Sequence, residues 1–312
     1  MNRPYTLLCD PGIDDMVALM VLCGAGAPPA QVIATAGNVD LAAAVRNTAG
    51  LLQRLRPVTD GITLGAGCDR AVGGPYPGQG LGIHGDDGLG GRAPAPGPHP
   101  WPWPPAAGDP EPPAGRYLVT SPLSHVVPAL RRGDPLDITW MGGARECDGN
   151  ATAVAEFNAW LDPEAADEVL RAPRSTAVVP LDVTDLVTWD AADLDAFDAL
   201  GGPGTLAAGA CRALLRHGPV TLPDAVAAVA FLRPELFAWR DYAASCETGP
   251  GPLRGMTECL PSDRPTASVA VDVNVAEVRE VVWASMSALA RGLADEPWDG
   301  AASAGSACVR TT

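Results

Sequence analysis

Lysine is absent from this chain: all 21 basic residues are arginine, set against 37 acidic ones. The formal charge of −16 argues against nucleic acid as a partner, because a phosphate backbone is held by basic patches. It permits cation binding. Aromatic residues are scarce, at 5%, while Ala, Gly and Pro abound, a pattern that reads as genome composition bias. No two of the eight cysteines (9, 23, 68, 147, 211, 246, 259 and 308) are spaced Cys-x-x-Cys, which speaks against a zinc or redox site. Cys9 and Cys23 lie in apolar runs and read as buried thiols. There is no apolar run of transmembrane length and no basic segment leading into an apolar one, so no membrane partner is expected. A reduced, cytoplasmic setting follows as the expectation. Internal repeats and a clear domain boundary are also missing.

What is there suits one large α/β domain: 312 residues, 47% of them apolar. The apolar run Tyr5 to Cys9 predicts a buried parallel strand. It ends in Asp10, turns on Pro11 and Gly12, and restarts as an apolar helix from Asp14 to about Cys23. Asp10, Asp14 and Asp15 thus gather at the C-terminal edge of a strand, where open α/β sheets place their ligands. Carboxylates this crowded repel one another, and a hard divalent cation would remove the repulsion. An acidic first helical turn would account for Asp14 or Asp15, but not for Asp10 as well.

The strand–loop–helix rhythm continues. A second strand, Gln31 to Ala36, meets Gly37-Asn38 and a helix from about Leu41 to Arg56, with Asp40 as N-cap. Read alone, Asn38 is a turn residue. Further strands are expected at 62–64, 116–120, 137–140, 177–181 and 267–273, and Thr188 to about Leu215 is expected to be helical. Asn274 and Glu277 form a capping-box pattern that opens a last helix to about Arg291. The alternation predicts right-handed βαβ units in a mostly parallel central sheet flanked by helices, a Rossmann-like open sheet. The long Gly-rich loop 65–91 carries His84, a surface residue or part of a pocket. Residues 92–115, rich in Pro and holding Trp101 and Trp103, read as an irregular insertion, and residues 293–312 as a loose tail after a domain at 1–292.

Asp10-Pro11-Gly12-x-Asp14-Asp15 after an N-terminal strand resembles the signature of the nucleoside hydrolase family, of the inosine-uridine-preferring type. Later blocks agree with it: Gly37-Asn38; His84-Gly85-x-Asp87-Gly88-Leu89-Gly90; Met141-Gly142-Gly143; Asn150; Glu156-Phe157-Asn158; and Asp162-Pro163-Glu164-Ala165-Ala166. The likeness spans roughly residues 5 to 290 outside the insertion. It implies calcium-dependent hydrolysis of the N-glycosidic bond of a ribonucleoside, releasing base and ribose. Calcium would be held by Asp10, Asp15, Asp224 and the Ser124 carbonyl. Ser124 stands where the family has Thr in Gly-Pro-Leu-Thr-Asn, and His125 replaces the Asn. Asp14, Asn38, Asn150, Glu156, Asn158 and Asp224 would contact the substrate: Asn150 and Glu156 the 5′-hydroxyl, Asn158 the 2′- or 3′-hydroxyl. Two amides and a carboxylate supply the fixed donors and acceptors that sugar hydroxyl groups need. Asp10 would deprotonate the attacking water, and Asp10, Asp14 and His84 are the catalytic candidates. A homodimer or homotetramer is expected.

One departure stands out. Pro223 precedes Asp224 where the family has His, its usual leaving-group acid, and Pro has no titratable group. His84, His217, Trp189 and Trp239 are the candidates to help the base leave. The departure predicts a narrowed substrate range, and it keeps two alternatives open. One is a non-catalytic, calcium-dependent binding protein for a ribosylated ligand; the other is a hydrolase of a modified nucleoside in a biosynthetic pathway.

Overall fold

In a computed structural model, residues 3–78, 82–93, 115–173 and 176–294 are described. Most of the Pro-rich insertion, with Trp101 and Trp103, and nearly all of the expected tail lie outside them. The chain runs β1 (Thr6–Cys9), α1 (Ile13–Gly24), β2 (Gln31–Ala34), α2 (Leu41–Arg54), β3 (Thr63–Ala66) and β4 (Gly115–Thr120). It continues with α3 (Val127–Arg132), β5 (Leu136–Met141), α4 (Phe157–Leu161), α5 (Pro163–Arg171), β6 (Thr176–Val179) and α6 (Leu181–Thr184). Then come β7 (Thr188–Trp189), α7 (Ala191–Asp198), α8 (Pro203–Cys211), β8 (Val220–Thr221) and α9 (Pro223–Leu232). The chain closes with β9 (Phe237–Cys246), β10 (Thr257–Leu260), β11 (Ala267–Val273) and α10 (Val275–Gly292).

Nine strands form one sheet in the order β10-β9-β11-β6-β5-β4-β1-β2-β3. The seven from β11 to β3 are parallel; β9 and β10 add an antiparallel edge. β1 lies between β2 and β4, with Cys9 opposite Ala34 and Thr120. The ends of three strands therefore converge beside Asp10. Helix α1 is buried along almost its whole length, from Ile13 to Cys23, because α8, α9 and α10 pack around it. A helix that is apolar all round has no solvent face to show. The caps follow the sequence. The Asp40 carboxylate accepts the Ala43 N–H at 2.6 Å, and Asn274 accepts that of Glu277. No described helix is long and apolar enough to cross a membrane.

Three expectations are corrected. The helix expected over 188–215 is broken. Gly201 and Gly202 take positive φ (72° and 46°) ahead of Pro203, which opens α8, and Thr188–Trp189 pairs instead with Val220–Thr221. The strand expected to Leu181 stops at Val179, because Pro180 starts a single helical turn. The ten-residue β9, whose burial pattern only partly alternates, was not anticipated as a strand.

Candidate active site

The acidic cluster sits where β1 gives way to α1. Gly12 is the N-cap of α1, and Asp14 and Asp15 fall in its first turn. Asp15 Oδ2 accepts the Gly12 N–H at 2.8 Å, and its Oδ1 accepts the Thr120 hydroxyl at 2.7 Å. Asp10 is 1% exposed; its Oδ2 accepts the Asn38 N–H at 2.8 Å, while the Asn38 amide donates back to the Asp10 carbonyl at 3.0 Å. Gly37 makes this approach possible: a Cβ there would lie 1.8 Å from Asp10 Oδ2. Asp224, the second residue of α9, comes up beside them. Ligand oxygens of Asp14, Asp15 and Asp224 all lie within 4.8 Å of one another.

Burial and mutual repulsion push Asp10, Asp15 and Asp224 toward the protonated form. Asp15 rises to about 7, first from burial and then from the charge of Asp14. Asp10 is raised by burial and next by the charge of Asp15. Asp224 is raised by burial, then by Asp14, Asp15 and Asp10. Asp10 Oδ1 and Asp14 Oδ1 are buried without a hydrogen-bond partner. An all-oxygen donor set with orphaned carboxylate oxygens fits a hard divalent cation, whose charge would reverse the penalty.

A cleft opens over this cluster. It brings together Asp10, Asp14, Asn38, His84, Asn150, Glu156, Asn158 and Asp224, and also Ile83, Thr120, Met141, Phe157 and Pro223. Asn150 and Glu156 come from the segment between β5 and α4, and Asn158 from the first turn of α4. Asn150 Oδ1 accepts the Phe157 N–H at 2.8 Å, which leaves its amide nitrogen as the available donor. Asn158 donates to the Met141 carbonyl at 3.1 Å, which leaves its amide oxygen as an acceptor. Glu156 is the N-cap of α4 and accepts the N–H groups of Gly143, Asn158 and Ala159 at 2.8–3.0 Å. Burial nevertheless raises its carboxyl to about 7.

His84 reaches the cleft from the Gly-rich loop. Its Nδ1 accepts the Ile13 N–H at 3.1 Å, so the neutral ring carries its proton at Nε2. Asp14 Oδ1 stands 3.8 Å from the same Nδ1, too far for a hydrogen bond.

The Ser124 side chain is engaged away from the cluster, which does not bear on the expected role of its carbonyl. Ser124 is absent from the cleft lining, and its hydroxyl donates to Asp162 Oδ2 at 2.5 Å with Tyr76 at 3.0 Å on its other side. The residue of this segment whose side chain touches the cluster is Thr120. The clue lay in pairing: Thr120 ends the strand beside β1, opposite Cys9. Neither Trp189 nor Trp239 lines the cleft. Trp189 is 2% exposed in the main core. Trp239 packs beside Phe237 and donates to the Pro234 carbonyl at 2.8 Å. The side chain of His217 lies outside the described structure.

Known proteins resemble this chain along most of its length. The family model "Inosine-uridine preferring nucleoside hydrolase" matches residues 6–280. A pyrimidine-specific ribonucleoside hydrolase RihA of Salmonella enteritidis is 29% identical over 304 residues, covering 88% of this chain and 95% of its own. The inosine-uridine preferring nucleoside hydrolase of Crithidia fasciculata is 33% identical over 200 residues, 59% of this chain and 62% of its own. Among solved structures, a purine-preferring ribonucleoside hydrolase from Gardnerella vaginalis superposes with a TM-score of 0.83 at 24% identity, covering 93% of this chain and 99% of its own.

Proposed function

Because this chain belongs to the inosine-uridine preferring nucleoside hydrolase family, and is therefore a ribonucleoside N-ribohydrolase, we propose that it works with calcium at Asp10, Asp15 and Asp224 and uses His84 to help the base leave. The carrying observation is the cleft itself: orphaned acidic oxygens at its floor, two amides and a carboxylate on one wall, and a histidine on another. Thr120 is proposed to hold Asp15 in place behind the cation, and the carbonyl of Ser124 to be the further ligand.

Asp10 Oδ1, the oxygen left free by Asn38, would take the proton from the attacking water. When bound, calcium supplies the positive charge that acidifies and orients that water. Asp14 and Asp224 would hold ribose hydroxyl groups and stabilise positive charge developing on the sugar. Asn150 and Glu156 would read the 5′-hydroxyl, and Asn158 a ring hydroxyl.

The leaving base needs a proton, and Pro223 has none to give. His84 Nε2–H is the available donor. The relatives' names span pyrimidine and purine preference, so the base is not transferred to this chain. A donor in a loop rather than at the family's usual position favours bases that leave easily. The test is release of free ribose from p-nitrophenyl riboside, inosine and uridine. The expected order puts p-nitrophenyl riboside, which needs no acid, well ahead. Equal rates on all three would sink the claim that losing the histidine at 223 matters.

A further inference from the structure

His84 is carried by a segment of glycines, which by itself could not hold a side chain to the precision that proton transfer requires. Several contacts remove that freedom, and the reaction described so far uses none of them directly. The Asp87 carboxylate accepts three N–H groups of its own loop: Leu89 at 3.0 Å and Gly91 at 2.9 Å on Oδ1, and Ala93 at 3.0 Å on Oδ2. Gly90 N–H donates to the His84 carbonyl at 2.8 Å, closing the loop on itself. Asn47 is a polar residue only 6% exposed on α2, and its amide donates to the Asp87 carbonyl at 2.8 Å. Leu89 is fully buried in the core. Gly88, at φ +81°, lies so close to the metal-binding turn that a Cβ would meet the Pro11 carbonyl at 3.1 Å and Val39 at 2.8 Å.

We propose that Asp87 and Asn47 form a latch that positions His84: Asp87 folds the loop, Asn47 fastens it to α2, and together they fix the imidazole over the cleft. Both are positioning residues; neither lines the cleft. The inference rests on the reading of His84 as donor to the leaving base. It adds that the donor's placement is set from α2. In an unlatched loop His84 would keep its chemistry and lose its place, and a displacement of about 1 Å costs roughly 10²-fold in rate.

The experiment compares kcat on p-nitrophenyl riboside with kcat on inosine or uridine, whichever is turned over faster, for wild type, Asn47→Ala, Asp87→Asn, Asp87→Ala and His84→Ala. The readout is the ratio of the nucleoside rate to the p-nitrophenyl riboside rate, which a general loss of folded enzyme does not move. Asp87→Ala is expected to lower this ratio about 100-fold, and Asn47→Ala about 10-fold. Asp87→Asn, which keeps one acceptor oxygen, should fall between wild type and Asp87→Ala. Adding Asp87→Ala to His84→Ala should lower the ratio no further, because both act through one group. Equal loss on both substrates in the Asp87 and Asn47 variants, with His84→Ala still lowering the ratio, overturns the latch alone. A ratio unmoved by His84→Ala overturns the reading of His84, and the latch with it.

Discussion

Thr120 and Asn150 show how little of a side chain's role is written beside it. Thr120 is one more β-branched residue at a strand end, and only the pairing of β4 with β1 turns its hydroxyl to Asp15. Removing that hydroxyl with Thr120→Val frees a carboxylate oxygen that the proposed cation needs held in place. Calcium affinity measured by calorimetry is expected to fall about 10-fold, the usual cost of losing a partner behind a ligand. An unchanged Kd would count against Thr120. Asn150 was legible as a candidate, but its orientation was not: the Phe157 N–H claims the amide oxygen and leaves the nitrogen for substrate. Asn150→Ala should therefore cost roughly 10–100-fold in kcat/KM on ribosides. On 5′-deoxyribosides it should cost little, and equal losses on both would refute its assignment to the 5′-hydroxyl. Thr120 was overlooked because nothing beside it in the sequence set it apart. The strand-end position and the first turn after it look alike in sequence, and only tertiary pairing separates them.

Among the elements, those announced by an apolar run and a cap were legible: β1 and α1, β2 and α2, and α10 with its Asn274 cap. Those that depend on distant partners were not. β7 is two residues long and exists only because Val220–Thr221 comes to meet it. β9 serves β11 on one side and β10 on the other. Helix α4 is a further case. Its five residues are too few to be stable alone, and Glu156 holds them by accepting two N–H groups of the helix and one from Gly143. The same carboxylate thus caps an element and faces the cleft. Glu156→Gln replaces one acceptor oxygen with an amide N–H that opposes these donors. It should lower stability to denaturant by about 2 kcal/mol as well as impair sugar binding. A kinetic defect with full stability would mean that the cap is dispensable. By contrast, Asp40→Ala removes the cap of α2 at a residue that does not line the cleft; stability to denaturant should fall by about 1 kcal/mol.

Over the whole molecule, a few of the acidic residues are gathered into one buried cluster. The chain carries sixteen negative charges in excess, and where β1 ends and α9 begins it buries several carboxylates beside one another. In the metal-free protein Asp15 ionises only at about 7, against 3.8 for an ordinary aspartate. Between those values the folded form binds more protons than the unfolded chain, so stability must fall as pH rises through that window. Asp10 and Asp224, also raised, add in the same direction. A bound cation prefers the ionised cluster, so its stabilisation should grow over the same range. Thermal unfolding in a chelator is therefore expected to give a lower Tm at pH 7.5 than at pH 5. Excess calcium should raise Tm more at pH 7.5 than at pH 5. Asp15→Asn should flatten the chelator series, since its amide does not ionise. A metal-free Tm that climbs from pH 5 to 7.5, or a calcium shift of equal size at both, would show that the cluster is not waiting for a cation.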